Sequence, residues 1–165
     1  MSKSSVFTKY FGNITIDVDD DGHGDIYTNY NNQEINIFFQ RYNTYEDKVK
    51  ICLEIIDKYV EINEIAKKAI MEQFNENATV KNYFKCHFDM WGKEQLIKTF
   101  GTDNFKKINI GNIVEKLEYP DLIFSMRNSE ITVSLIYMIS KNFSDEILCI
   151  KMDEKLNITE FLHES

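Results

Sequence analysis

The run Asp17-Val18-Asp19-Asp20-Asp21-Gly22 gathers more metal-type ligands than any other short stretch of the chain. It matches the first half of an EF-hand calcium loop, with acids at positions one, three and five, glycine at six and Asp25 at nine. A hard cation takes several carboxylate oxygens around a sharp turn, so the chemistry is sensible. Position twelve is Thr28, where a bidentate Glu should close the loop, and position eight is Gly24 rather than an apolar residue. The flanking residues alternate like strands. The run is therefore expected to be a solvated acidic hairpin turn. Whether Asp17, Asp19, Asp21 and Asp25 hold a cation stays open on sequence, and no metal ligand is assigned.

Nucleophilic chemistry finds little support. Cys86 and His87 are neighbours on an expected helix, and adjacent helical positions diverge by about 100°, so their side chains do not face each other. A Cys–His dyad would need His23 or His163 brought in by the fold. The plainer expectation is a buried or half-buried thiol beside a surface His87. The sequence holds no G-x-S-x-G elbow, no P-loop and no dinucleotide-binding glycine fingerprint. Carboxylates are plentiful, but none is singled out by its neighbours as an acid–base pair. No catalytic residue and no cofactor is expected. A small enzyme whose site is assembled from distant residues is the alternative.

Charge narrows the partners. Among 165 residues, 19 are Lys or Arg and 27 are Asp or Glu, giving a net charge of −8. A field of that sign repels phosphate backbones and anionic lipid, so neither nucleic acid nor a membrane is an expected partner. Cys52, Cys86 and Cys149 are odd in number and form no C-x-x-C pair, which argues against a disulfide framework or a zinc ribbon. Cys52 and Cys149 read as buried thiols. The first ten residues lack the apolar core of a signal peptide, and the cytoplasm is the expected compartment. Tyr27, Tyr30, Tyr42 and Tyr45 fall near the acidic hairpin and the helix start. Exposed tyrosines beside acids suit a basic protein, and Asp19, Asp20, Asp21, Tyr27 and Tyr30 are the expected partner-binding residues. Trp91 reads as a core plug at a helix end rather than an anchor.

The elements that must position these residues fall into three blocks. Ile14, Ile16 and Val18, the stretch Ile26–Tyr30, and Ile35, Ile37 and Phe39 alternate with period two and predict an N-terminal three-stranded antiparallel meander. Asn31-Asn32 supplies the positive φ angles of its second turn. From Thr44 to Phe100 the apolar residues recur at three and four, predicting three or four helices. Thr44 with Asp47 is a candidate capping box, Asn63 a cap for a second helix and Thr79 for a third, and Gly92 and Gly101 bracket a fourth. Ile108–Ile110 is read as a strand. Antiparallel strands return at Leu122–Met126, Ile131–Ile139, Ile147–Met152 and Ile158–Leu162, the second of them apolar on both faces and so central. Strands, then helices, then strands predict one α+β domain over residues 1–165 with helices packed on sheet.

Tyr119-Pro120-Asp121, the strand to Ile139, the run Phe143 to Asp153 and the terminal Glu164-Ser165 resemble a small bacterial family of unknown function. Phe11-Gly12-Asn13-Ile14 and Ala66-Lys67-Lys68-Ala69-Ile70 are similar to it as well. The resemblance spans nearly the whole chain and carries no catalytic residues. Small acidic domains of this general look occur among immunity proteins, which neutralise bacterial toxins. The expected function is therefore a non-enzymatic cytoplasmic protein-binding domain, of which an immunity protein blocking a basic toxin is one form. A weak calcium-binding module is a further alternative.

Overall fold

The structure is a computed structural model that describes residues 2–42, 48–127, 129–139 and 144–165. Eight strands form one sheet whose spatial order is the sequence order. Strands β1 (Ser2–Thr8), β2 (Gly12–Val18), β3 (Gly24–Tyr30) and β4 (Gln33–Phe39) make a four-stranded antiparallel meander. Strands β5 (Asp121–Arg127), β6 (Glu130–Tyr137), β7 (Ile147–Asp153) and β8 (Ile158–Glu164) make a second. The α-helices of the described residues lie between them in sequence: α1 (Val49–Ile56), α2 (Tyr59–Gln73), α3 (Ala78–Met90), α4 (Lys93–Phe100) and α5 (Ile110–Val114).

The α+β expectation holds, with a larger sheet than expected. The N-terminal meander has four strands because Ser2–Thr8 pairs along its whole length with β2, from Ser2 opposite Val18 to Thr8 opposite Gly12. Its side chains alternate too weakly to announce a strand, since an edge strand needs only backbone pairing. The proposed strand at Ile108–Ile110 is replaced by a 3-10 turn at Phe105–Lys107 and by α5. Asn104 and Asn109 accept backbone N–H bonds from Lys106 and Asn112 and start these two turns. The break between the first two helices falls at Asp57–Lys58. Asn63 is not a cap: it lies inside α2, buried, and its Oδ1 accepts the Tyr137 hydroxyl at 2.8 Å. Asn77, not Thr79, caps α3 by accepting N–H bonds from Thr79 and Val80. The Thr44–Asp47 capping box lies outside the described residues. Asn31 and Asn32 have φ of 49° and 64°, as the tight β3–β4 turn requires.

One face of the sheet carries the core. Ile14, Ile16 and Val18 on β2, Ile35, Ile37 and Phe39 on β4, and Leu122, Val133, Leu135 and Ile150 on the second meander pack with Cys52, Ile56, Ile62, Ile70, Val80 and Phe84 of the helices in one cluster. The alternate residues of β2, β3 and β4 point to the other, open face.

The two meanders meet at a parallel pairing of β4 with β5, with Ile37 opposite Leu122, Phe38 opposite Ile123 and Phe39 opposite Phe124. Phe39 and Phe124 stack there, ring centroids 4.9 Å apart. Side chains lengthen this short joint. Gln33 makes two hydrogen bonds to the Tyr119 backbone, at 2.7 and 2.9 Å, and Asp121 Oδ1 accepts the Asn36 N–H at 2.8 Å. We expect Phe124→Ala to cost about 3–5 kcal/mol, the range for a fully buried Phe, whereas the exposed Tyr27→Ala should stay within about 0.5 kcal/mol. Urea denaturation of both variants checks the contrast.

Candidate functional site

The acidic hairpin turn is solvated, as expected. Asp19, Asp20 and Asp21 are exposed at the β2–β3 turn, where Asp19 Oδ1 accepts the His23 N–H at 2.8 Å and fixes the loop. The flanks are strands, not EF-hand helices. Among the described residues, Asp17, Asp19, Asp21 and Asp25 do not bring three carboxylate oxygens within 4.8 Å of one another. Asp17 instead pairs with Lys3 at 2.8 Å across β1–β2. Asp25 stands opposite Asp17 on β3, and its carboxyl is raised above the ordinary aspartate range, by burial first and by the Asp19 charge next.

The five expected partner-binding residues do not form one surface. Tyr27 lies on the open face of β3 and is 77% exposed. Tyr30 is an odd number of positions on, so it points to the opposite face. It also lies at the far end of the strand, about 20 Å from Gly24. There it packs edge-on against Tyr10, Phe11, Tyr59 and Tyr119. Tyr30 is therefore a structural residue. Tyr42 is half-buried against Phe39, and Tyr45 lies outside the described residues.

What surrounds Tyr27 was not foreseen. A cavity of about 290 Å³ opens beside it, lined by Tyr27, Asn29, Glu34, Asn36 and Asp121 among others. Asn36 Oδ1 is buried and has no hydrogen-bond partner among the described residues. Only the β4–β5 joint brings Asp121 to this place, so no local pattern in the sequence could have revealed it. Phe7, also highly exposed, lies on the same open face at β1.

A second constellation lies on the helix-covered side of the sheet, at its C-terminal edge. Asn77 caps α3, and the next turns place Tyr83, Cys86 and His87 toward β8. His163, on β8 opposite Leu148, faces back at them. Glu146 stands just before β7. His163 Nε2 lies 2.5 Å from Glu146 Oε2 and 3.8 Å from Cys86 Sγ. The expected surface His87 is fully buried, with 0% exposure, because the helix turns it inward against Trp91 and Phe100. Its Nδ1 donates to the Tyr83 carbonyl at 2.8 Å, and its Nε2 accepts the Ser144 hydroxyl at 3.0 Å. Burial lowers its pKa, so the ring is held neutral in this tautomer. Ser144 Oγ in turn accepts the Glu146 N–H at 3.2 Å. His87 thus orients the segment that carries Glu146.

This group is not poised as a thiol nucleophile. Glu146 and Cys86 face the same imidazole nitrogen. With a proton on Nε2 donated to the Glu146 carboxylate, that nitrogen cannot also accept the thiol proton. The thiol donates instead to the Tyr83 carbonyl at 2.8 Å. Burial first and the Glu146 charge second push it up to about 12. A thiolate at neutral pH is what a nucleophile requires. Cys52 and Cys149 are buried, as the sequence suggested.

Comparison with known proteins returned no matching family model, no matching curated protein and no matching solved structure. Among the described residues, no helix is long and apolar enough to cross a membrane.

The environment of Asp25 has a measurable consequence. An aspartate whose folded pKa is raised stabilises the fold below its unfolded value and loses that contribution as pH rises through the folded value. At pH 7 its charge therefore weakens the fold. We expect Asp25→Asn to raise stability at pH 7, by at most about 1 kcal/mol once solvent screening is allowed for. The gain should shrink toward zero as pH falls below the aspartate range, as urea titrations at several pH values would show.

Proposed function

We propose that this chain is a non-enzymatic protein-binding domain that receives a basic partner on the open face of its sheet. The observation that carries the reading is the cleft beside Tyr27. It presents two carboxylates, Glu34 and Asp121, and the amide of Asn36, whose buried oxygen has no partner among the described residues, under an exposed aromatic rim. An Arg or Lys side chain brings donors only, which is the complement of such a lining. The acidic turn at Asp19 to Asp21 lies about 10 Å along β3 from Tyr27 and adds a negative field toward the approaching partner. Charge of this kind speeds encounter, and a desolvated aromatic slows release. An immunity protein that covers the basic active site of a toxin in the cytoplasm is the role that suits this chemistry. The likeness to the small bacterial family is part of the same reading.

The test is affinity capture from an extract of the encoding organism at low and high salt, read by mass spectrometry and repeated with variants. The expected outcome is one stoichiometric basic protein whose retention weakens with salt. Tyr27→Ala and Glu34→Lys should each weaken it by about tenfold or more, while Glu94→Lys on α4 leaves it unchanged. Reversing Asp19, Asp20 and Asp21 to Lys should lower the association rate and flatten its salt dependence. A partner that binds the Tyr27 and Glu34 variants as well as the unaltered chain, or no stoichiometric partner at either salt, overturns the reading.

A further inference from the structure

We propose that Cys86, Glu146 and His163 form a binding site for one divalent transition-metal ion of the zinc class. The three residues come from α3, from the segment before β7 and from β8, so only the tertiary fold unites them. Sγ, a carboxylate oxygen and an imidazole nitrogen all lie within 4.8 Å of one another.

The spacing suits a tetrahedral ion. Bonds of about 2.0–2.3 Å hold neighbouring ligand atoms roughly 3.3–3.7 Å apart. Cys86 Sγ and His163 Nε2 already stand 3.8 Å apart. Glu146 Oε2 is closer to the imidazole, at 2.5 Å from Nε2. Seating an ion there requires the carboxylate to retreat from Nε2 by about 1 Å or less, within reach of its own torsions. On binding, the thiol proton of Cys86 leaves to solvent, while His163 gives up its Nε2 proton to solvent and takes one up on Nδ1, so a neutral imidazole coordinates through Nε2 and one proton is released in all. Three metal–ligand bonds then stand in place of the Sγ–H bond to the Tyr83 carbonyl and the Nε2–H bond to Glu146.

The donor set also chooses the ion. One thiolate, one imidazole and one carboxylate select a borderline ion such as Zn²⁺ or Co²⁺, whereas Ca²⁺ and Mg²⁺ take oxygen ligands throughout. The surroundings are built for support. Ser144, itself bonded to His87, holds the Glu146 backbone, and the Tyr83 ring meets the His163 ring edge-on at 5.6 Å. Glu146 is only 7% exposed, while Cys86 and His163 are half-buried, so an ion can enter from solvent. Three protein ligands leave the fourth tetrahedral position to water or to a ligand atom. The site lies on the helix-covered side of β7 and β8, apart from the Tyr27 cleft on the open face of β3 and β4, and does not depend on the protein-binding reading.

The test is titration of the tag-free, chelator-stripped chain with Co²⁺, followed by desalting. The expected result is one Co²⁺ per chain, with a near-ultraviolet thiolate-to-cobalt band and the intense visible bands of a four-coordinate ion. Cys86→Ser should abolish the thiolate band, and Glu146→Gln and His163→Gln should abolish retention through desalting. Cys52→Ser and Cys149→Ser should leave the spectrum unchanged. Ser144→Ala, at a positioning residue, should weaken binding by about 10–100-fold with unchanged circular dichroism. Because a ligand variant can lose its fold, X-ray absorption of the Zn²⁺-loaded unaltered chain is the second measurement, with one sulfur among light-atom neighbours expected. No retained metal, a thiolate band that survives Cys86→Ser, or a sulfur count other than one overturns the proposal.

Discussion

The parallel contact between β4 and β5 is the joint on which the molecule depends. Each meander alone would be a four-stranded sheet with one apolar face. The joint makes them one surface wide enough to lay five helices on. Yet its ladder is short, running from Ile37 opposite Leu122 to Phe39 opposite Phe124. Parallel pairing is also the weaker kind per residue. The structure answers with side chains. Gln33 clamps the Tyr119 backbone before β5 begins, Asp121 caps the Asn36 amide, and Gln40 continues the ladder to the Phe124 carbonyl at 2.9 Å. The stacked Phe39 and Phe124 seal its core side. A parallel joint needs a long crossover, and this one carries the α-helices of the described residues.

That same joint creates the cleft beside Tyr27. β4 begins four residues before the parallel ladder does, so its first half borders β5 only through side chains. Asp121 stands where the ladder starts, with one oxygen committed to the Asn36 amide. The carboxylates of Asp121 and Glu34 end up beside an exposed tyrosine because a sheet of sequential strands was joined out of register. The candidate recognition surface is thus a by-product of how the two halves are fastened.

Much of the fold was legible because burial leaves a periodic mark. The alternation of Ile14, Ile16 and Val18, and of Ile131, Val133 and Leu135, records one buried sheet face, and the three-and-four spacing from Val49 to Phe74 records the helices. What was missed left no such mark. β1 is an edge strand whose pairing is all backbone. Asn63 looked like a cap because Asn favours that role, but its partner is Tyr137 on β6, distant in sequence. Ile108 and Ile110 alternate by chance around Asn109, which starts a helix. Tyr30 departs from expectation for a different reason. Nearness in sequence is not nearness on a surface, because the strand's period of two sends Tyr27 and Tyr30 to opposite faces. His163 is one of the two histidines the fold could bring to Cys86, but a separation of 77 residues carries no local signal to choose it over His23.

The polar seam between α3 and β8 is the part of the core least explained by stability. β8 is an edge strand, and its inward side chains are only half-buried. Leucine or phenylalanine at positions 86, 146 and 163 would bury apolar area there with no desolvation cost. Replacing buried ionic groups by well-packed apolar ones is often neutral or stabilising. The chain instead keeps a thiol, a carboxylate and an imidazole within 4.8 Å, and supports them with Ser144 and a fully buried His87. Such a network is tolerable only when its members are satisfied, which demands the particular tautomer of His87 and the particular turn at Ser144. Each added requirement narrows the sequences that can fold this way. A seam so demanding, at an edge where simple packing would serve, is better accounted for by what it can bind than by what it holds together.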